Sequence, residues 1–337
     1  MKILFLPLHS TEGASSRLRV YQYFEYLRKS GHTVRVISSP GKSRLFKLFY
    51  LIKVLAGAGA NDIVFIQKII FPRAFFNLIH AVNKRIIFDF DDAIYLTPPM
   101  MEENTRQAAE RADNLNAILA KAACVIAGNP YLAEYAGRFN NNTVMIPTVI
   151  DTGARSGAPR KDAHAVVVGW IGYPENLVYL QGIAFVLKNI SQRFGDKVVL
   201  KVVSSRDFLS DGINIINKRW RLNEELSDLQ SFNIGISPLP DNEWTRAKCG
   251  FKILEYMAAG IPAVASPVGV NKEIVRDGVC GFSVSSADEW FEKLSLLIED
   301  AQLRKKFGEN GRRIVEERYS IKANAPKLLD ALSKTAR

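Results

Sequence analysis

The sequence predicts an α/β protein built as two doubly wound domains, and three observations carry that prediction. Short apolar runs followed by small-residue loops and then by amphipathic stretches recur from the first residues onward, which is the strand–loop–helix rhythm of parallel sheets. The rhythm stops at residues 153–164, a stretch of Gly, Pro, Ser, Arg and Lys that reads as a linker, and it restarts at residues 165–174. At 337 residues the chain suits two domains of ordinary size better than one.

In the first half, residues 2–7 read as a strand and residues 9–16, with Gly13 and Ala14, as the loop after it. The loop lacks the full Gly-x-Gly-x-x-Gly spacing, which argues against a nicotinamide cofactor. Val20, Phe24 and Leu27 repeat at helical spacing within residues 17–29, and Gly31 ends that helix before a strand over 33–37. Arg17 and Arg19 lie close to the loop, where they can meet an anionic acceptor or a donor phosphate, or can stand as exposed helix arginines with no ligand. Residues 41–60 combine Lys42, Arg44, Lys47 and Lys53 with many Leu, Phe, Tyr and Ile. Two readings stay open there, an interfacial helix and a helix packed on the sheet with snorkelling lysines. Strands follow at 62–67 and 85–90, and the second delivers Asp89, Asp91 and Asp92. An acid at a strand's carboxyl end beside two others is a candidate for a raised pKa, and Asp91 is expected to be that group; the alternative is a helix cap or a local Arg pair. Residues 104–122 read as a helix, 123–127 as a strand, and Asn129 and Pro130 as a helix start.

The second half opens with a strand ending at Gly172, and Arg206 follows another apolar run at 201–205. Residues 219–222 read as a strand edge, 224–229 as a short helix and 232–240 as a strand. The most informative stretch is residues 249–271. Phe251, Leu254, Met257 and Ala258 form one apolar helical stripe, Gly260 sits where a left-handed cap belongs, and Pro262 forbids continuation. Residues 263–266 read as a buried parallel strand whose carboxyl end turns at Pro267 and Gly269, where open α/β sheets keep their ligand crevices. Lys248 and Lys252 are four apart and Lys252 and Glu255 three apart, so all three can share a helix face or its N-terminal edge. Such an edge attracts a diphosphate, and the carboxylate can accept hydrogen bonds from two vicinal hydroxyls of a ribose; the competing reading is a solvated surface helix. Helices over 287–317 and 321–334 close the chain.

Composition narrows the function classes. With 47% hydrophobic and 23% charged residues the chain is soluble and globular in type. Residues 1–7 are too short an apolar run for a signal peptide, and no run of 18 apolar residues occurs. The cysteines, Cys124, Cys249 and Cys280, are odd in number and far apart, which argues for a reducing compartment, the cytoplasm, and against a structural metal. Residues 1–88 hold 14 Lys and Arg against Glu12, Glu25 and Asp62, so they carry the whole net charge of +11. A basic half implies an anionic partner, and with no recognisable nucleic-acid module the expected partner is a membrane surface rather than nucleic acid.

Residues 252–283, K-I-L-E-Y-M-A-A-G-I-P-A-V-A-S-P-V-G-V-N-K-E-I-V-R-D-G-V-C-G-F-S, closely resemble the donor-binding region of the family 4 nucleotide-sugar glycosyltransferases. The resemblance implies the GT-B fold, two Rossmann-like α/β/α domains facing a central cleft. It implies an acceptor-side domain over 1–155, completed by a crossover helix within 319–337, and a donor-binding domain over 156–318. It implies a retaining, metal-independent transferase with no cofactor. The enzyme would carry a sugar from a nucleoside diphosphate sugar to a lipid-linked or saccharide acceptor, in cell-envelope polysaccharide or glycolipid synthesis at the inner membrane face.

In that family a Glu-x7-Glu pair marks the helix. Glu255 matches the second Glu, which holds the ribose, while Ala247 stands at the place of the first, so the donor-sugar contacts depart from the pattern. Where the family carries a His-Asp pair, Asp91 replaces the His and Asp92 matches the Asp. An Arg and a Lys after the strand ending near Gly172 are missing, which leaves Lys248 and Lys252 for the diphosphate, with Arg206 and Arg246 in reserve. The implied site is therefore Asp91, Asp92 and Lys252 as catalytic groups, with Lys252 stabilising charge on the leaving diphosphate. Gly13, Ala14, Gly172, Arg206, Lys248, Lys252 and Glu255 contact the donor, and Arg17 and Arg19 the acceptor. The Asp-x-Asp pattern of Asp89 and Asp91 is set aside as a metal site because this fold seldom uses one. A nucleotide-sugar epimerase or phosphorylase of the same fold is the nearest alternative, and a catalytically inactive binding homologue is the other, which Ala247 keeps open. Nucleotide, sugar, acceptor and oligomeric state stay open.

Overall fold

A computed structural model describes residues 1–38, 44–153 and 165–337, with the side chains of residues 44–47 outside the description. Lys42 and the linker residues 154–164, including the 155/156 boundary, therefore lie outside the described residues, as do the side chains of Arg44 and Lys47. The chain divides into two compact units. The first is Met1–Val149 with Ala247–Cys249 and Ile321–Arg337, and the second is Ile150–Arg246 with Gly250–Ser320.

The first unit holds six parallel strands, β1 (Lys2–Pro7), β2 (Thr33–Val36), β3 (Ile63–Gln67), β4 (Ile86–Phe90), β5 (Cys124–Ala127) and β6 (Thr143–Met145). Their order is β2-β1-β3-β4-β5-β6. Apart from Gln67 at the end of β3 and Asp89 in β4 the central strands are apolar and buried, as in sheets covered by helices on both faces. Strand order reverses between β1 and β3, and the carboxyl edge at such a junction is where open α/β sheets keep their ligand crevices. Ile3, Phe5, Phe65, Ile87 and Ile126 form the core with Val20, Tyr23, Phe24 and Leu27. The C-terminal helix Ile321–Ala336 packs Ala325, Leu328, Ala331 and Leu332 into this same core, one apolar stripe at helical spacing.

The continuous helix expected over residues 17–29 is instead broken. A helix Ala14–Arg19, a 3-10 turn Tyr21–Tyr23 and a helix Phe24–Lys29 follow one another, with the break at Val20 (φ −127°, ψ −68°). The break buries Val20 and Tyr23 and leaves Arg19 directed at β4. The helix Arg44–Ala60 packs on the unit through Tyr50, Val54 and Ala58, four residues apart, while Leu48, Phe49 and Ile52 remain exposed. The helix thus packs on its unit through one face, in line with the second of the two expected readings, and leaves apolar side chains exposed on another.

The second unit holds β7 (Val166–Ile171), β8 (Val198–Ser204), β9 (Ile215–Arg219), β10 (Ile234–Ser237), β11 (Ala263–Ala265) and β12 (Gly281–Ser283), all parallel. The order β12-β11-β10-β7-β8-β9 is that of dinucleotide-binding sheets, with the reversal between β7 and β10. The edge strand β9 lies earlier than the expected 219–222 and only ends at Arg219, because Leu200 through Ser204 pair with Ile215 through Arg219. The helix Phe251–Ala258 connects β10 to β11 and ends where Gly260 turns left-handed (φ 74°). Among the described residues no helix is long and apolar enough to cross a membrane.

Candidate functional site

In the second unit the candidate site lies at the β7–β10 junction, where Gly172 follows β7. Lys252, in the first turn of the helix Phe251–Ala258, lies with its Nζ 5.3 Å from the Trp170 ring centroid. A Cβ at Gly172 would stand 2.6 Å from Lys252 Cε and 3.0 Å from Nζ, so the end of the lysine side chain lies against the bare backbone at the strand end and would have to shift for a larger residue. The helix is held there by Tyr256, whose hydroxyl donates to the Ile236 carbonyl (3.2 Å) and accepts from the Ile171 amide (3.3 Å). Burial pushes the Tyr256 phenol well above its ordinary value, so the hydroxyl stays a donor. Its ring sits over Gly235, where a Cβ would come within 2.3 Å of it. Glu255 follows Lys252 by one turn and is 1% exposed.

Lys248 does not share this helix. Gly250 is left-handed (φ 65°) and opens the helix at Phe251, so the four-residue spacing of Lys248 and Lys252 is not a helical one. The segment Ala247–Cys249 belongs to the first unit, where Asn129 Nδ2 donates to the carbonyls of Ala247 (2.6 Å) and Lys248 (3.3 Å). Arg206 is exposed beyond β8, and Arg246 ends the short helix Glu243–Arg246 with its Nε 2.6 Å from Asp241.

In the first unit β4 and its exit carry three acids, one paired with Arg19 and two with Lys68. Asp89 lies inside the strand and is bound by Arg19, whose Nε donates to both carboxylate oxygens (3.1 and 3.0 Å) and whose Nη1 donates to the Ile146 carbonyl (2.8 Å). Burial opposes the charge on Arg19, but the Asp89 carboxylate outweighs it and holds the guanidinium above its ordinary pKa. Arg19 is therefore a buried structural cation rather than a group for the acceptor, the reading its helical position suggested. Arg17 is half-buried, with Nη1 3.5 Å from the Glu12 carbonyl.

Asp91 and Asp92 share Lys68, whose Nζ stands 2.9 Å from Asp91 Oδ1 and 2.6 Å from Asp92 Oδ2. Ser15 Oγ also donates to Asp91 Oδ1 (2.9 Å) and accepts from Gln67 Nε2 (2.9 Å). Gln67 Oε1 in turn accepts from Ser16 Oγ (2.7 Å) and the Leu8 amide (3.1 Å), which ties β3 to the loop after β1. Gly13 lets that loop close, since a Cβ there would be 2.4 Å from His9 Cβ, and Ala14 begins the helix behind it. On the other side Cys249 Sγ donates to the Asp91 carbonyl (3.2 Å).

The expected raised pKa at Asp91 is corrected by these contacts. Burial works to raise it, but Lys68, Arg19 and the hydrogen bonds from Lys68 and Ser15 outweigh burial and hold the carboxyl below its ordinary value. His9 is pushed below its ordinary value by burial and by Lys68, with Asp91 opposing. The Asp-x-Asp pattern of Asp89 and Asp91 thus meets a different side-chain cation at each position. Lys68, Gln67, Ser15 and His9 were not singled out in the sequence, although Lys68 follows its strand's carboxyl end just as Asp91 does. Lys68 is the one non-glycine residue at positive φ (60°) among the described residues, a conformation that costs about 1–2 kcal/mol.

Residues 243–314 match a family model described as glycosyl transferases group 1. Over 86 residues the chain is 35% identical to a sucrose synthase of Denitrovibrio acetiphilus, a match that spans 24% of this chain and 11% of that protein. The whole chain is similar in structure to HepE of Anabaena in complex with UDP and glucose (TM-score 0.75, 18% identity, 99% of this chain and 100% of that one). It is also similar to a sucrose-phosphate synthase of Thermosynechococcus elongatus (TM-score 0.75, 16% identity, 99% and 98%). A glycosyltransferase of Rickettsia africae gives a TM-score of 0.70 at 14% identity, covering 100% and 98%. The fold is the two-domain α/β GT-B fold.

Replacing Arg19 by Leu leaves Asp89 buried without its counter-charge, and the expected loss is about 3–5 kcal/mol of stability in urea unfolding. A loss within experimental error would mean that Asp89 does not need the guanidinium.

Proposed function

We propose that the chain is a retaining, metal-independent glycosyltransferase of the family 4 type, with UDP as the nucleotide of its donor. The observation that carries this reading is the placement of Lys252 and Glu255 on one helix beside Gly172 at the β7–β10 junction, within the segment that matches glycosyl transferases group 1. The UDP found with HepE supports the choice of nucleotide. In this reading Glu255 accepts hydrogen bonds from the ribose hydroxyls, and the Lys252 ammonium stabilises the charge that develops on the departing diphosphate. The bond from the sugar C1 to the phosphate oxygen breaks while the acceptor oxygen bonds to C1 on the same face, and the acceptor proton passes to the departing phosphate. Asp92 orients the acceptor hydroxyl by accepting its hydrogen bond. The acceptor is a lipid-linked or saccharide chain of the cell envelope, met at the inner membrane face.

The membrane part of the proposal has its own support. All of the net charge of +11 falls within residues 1–88, and the helix Arg44–Ala60 exposes Leu48, Phe49 and Ile52 by 58%, 61% and 56%. Apolar side chains within a basic half suit an anionic bilayer, where each nearby Lys or Arg contributes about 1 kcal/mol.

Glu255→Gln is expected to weaken UDP binding by about 1.5–3 kcal/mol in calorimetric titration, the range for a hydrogen bond to a charged group. Lys252→Ala should cost UDP more affinity than uridine. Unchanged UDP affinity in both variants contradicts the donor assignment. For the membrane, co-sedimentation should retain the protein on anionic vesicles and not on neutral ones, with loss on changing Leu48, Phe49 and Ile52 to Ser. Equal retention on both vesicle types would return this face to an ordinary surface.

A further inference from the structure

We propose that Lys68 is a positioning residue of the first unit, which fixes Asp92 as the carboxylate presented to the acceptor hydroxyl and keeps Asp91 behind it as a buried counter-charge. This rests on the transferase reading and names the residue on which its acceptor side depends. The three acids of β4 and its exit are graded in exposure, with side chains 2%, 10% and 34% accessible at Asp89, Asp91 and Asp92. Asp89 is taken up by Arg19, and Asp91 by Lys68 and Ser15. Asp92 alone of the three combines a cation partner with an accessible edge, so it is the one able to accept a further hydrogen bond.

Lys68 stands where the strand order reverses between β1 and β3, the place where such sheets receive ligands. Its amide donates to the Asp89 carbonyl (2.9 Å) and its backbone is left-handed, a conformation that glycine would take without strain. The side chain held at this strained position bridges both carboxylates. Without the ammonium the two neighbouring carboxylates would lose the cation that bridges them, and with it the contact that fixes the direction in which Asp92 presents its accessible edge. The other titratable and charged groups around this pair are Asp89 on β4, Arg19 on the helix Ala14–Arg19, His9 in the loop after β1 and Cys249 in the segment Ala247–Cys249.

The test uses the full chain with UDP-glucose as donor and water as acceptor. Water oxygen replaces the phosphate oxygen on C1, the proton goes to the departing phosphate, and UDP and glucose are released. Lys68→Gly removes the ammonium yet suits the left-handed backbone, and Lys68→Arg keeps a cation. Expected for Lys68→Gly is a fall in kcat of about tenfold or more, with KM for UDP-glucose and Kd for UDP unchanged, because the role is orientation of the acceptor alone. Lys68→Arg should restore kcat to near the wild-type value. A wild-type kcat in Lys68→Gly overturns the proposal, as does a loss shared equally by kcat and UDP affinity. Absence of UDP binding by the wild type overturns the transferase reading itself, whereas normal UDP binding with an unmoved Lys68→Gly kcat removes only this inference.

Discussion

A parallel strand covered on both faces has no room for a charged side chain, and that constraint arranges the chemistry of both units. Strands β1, β3, β4, β5 and β11 are buried along nearly their whole length, so their polar side chains gather at the carboxyl ends. The exception proves costly to accommodate. Asp89 lies within β4, and it is matched by a buried guanidinium that makes hydrogen bonds to both carboxylate oxygens and to a backbone carbonyl. Removing either partner from such a pair leaves a charge with no solvent and no counter-ion. Arg19, next to the helix break at Val20, is the residue that meets that single carboxylate.

At the two strand-order reversals the same physics yields opposite sites. In the first unit, charges and hydroxyls form a closed network of Lys68, Asp91, Asp92, Ser15 and Gln67, in which each carboxylate shares one ammonium. In the second, small residues do the work. Gly235 lacks the Cβ that would meet the Tyr256 ring, so a helix can press against β10, and Gly172 leaves space for the end of the Lys252 side chain beyond β7. Tyr256 then spends its hydroxyl on both strands, as donor to Ile236 and acceptor from Ile171, which fixes the turn of helix from which Lys252 and Glu255 project. An aromatic face under the ammonium adds a contact that holds Lys252 in place without neutralising it.

Features governed by neighbouring residues were legible in the sequence. The left-handed Gly260 after the helix Phe251–Ala258 and the Asn129 side chain capping the helix Pro130–Gly137 by accepting from Leu132 stand where local rules put them. The two α/β halves were equally plain, since buried parallel strands are unbroken apolar runs. Features that depend on distant partners were not. Arg19 meets Asp89 across 70 residues and Lys68 meets Asp92 across 24, so the three acids read as mutually repelling when each had a cation waiting elsewhere in the fold. The left-handed Gly250 likewise separated Lys248 from a helix that residue spacing alone had extended to it. Lys68 carried a local signal, its place directly after a buried strand, but nothing in a lysine announces a positive φ.

The central claim is that the β7–β10 junction, with Lys252 and Glu255, is a nucleoside diphosphate site. Backbone hydrogen exchange measured with and without UDP tests it most directly, because it reports where the ligand sits without altering a residue. The account predicts that UDP slows exchange in the helix Phe251–Ala258 and in the turns after β7 and β10. Protection confined to the ends of β1 and β3, or no protection anywhere at saturating UDP, would contradict it.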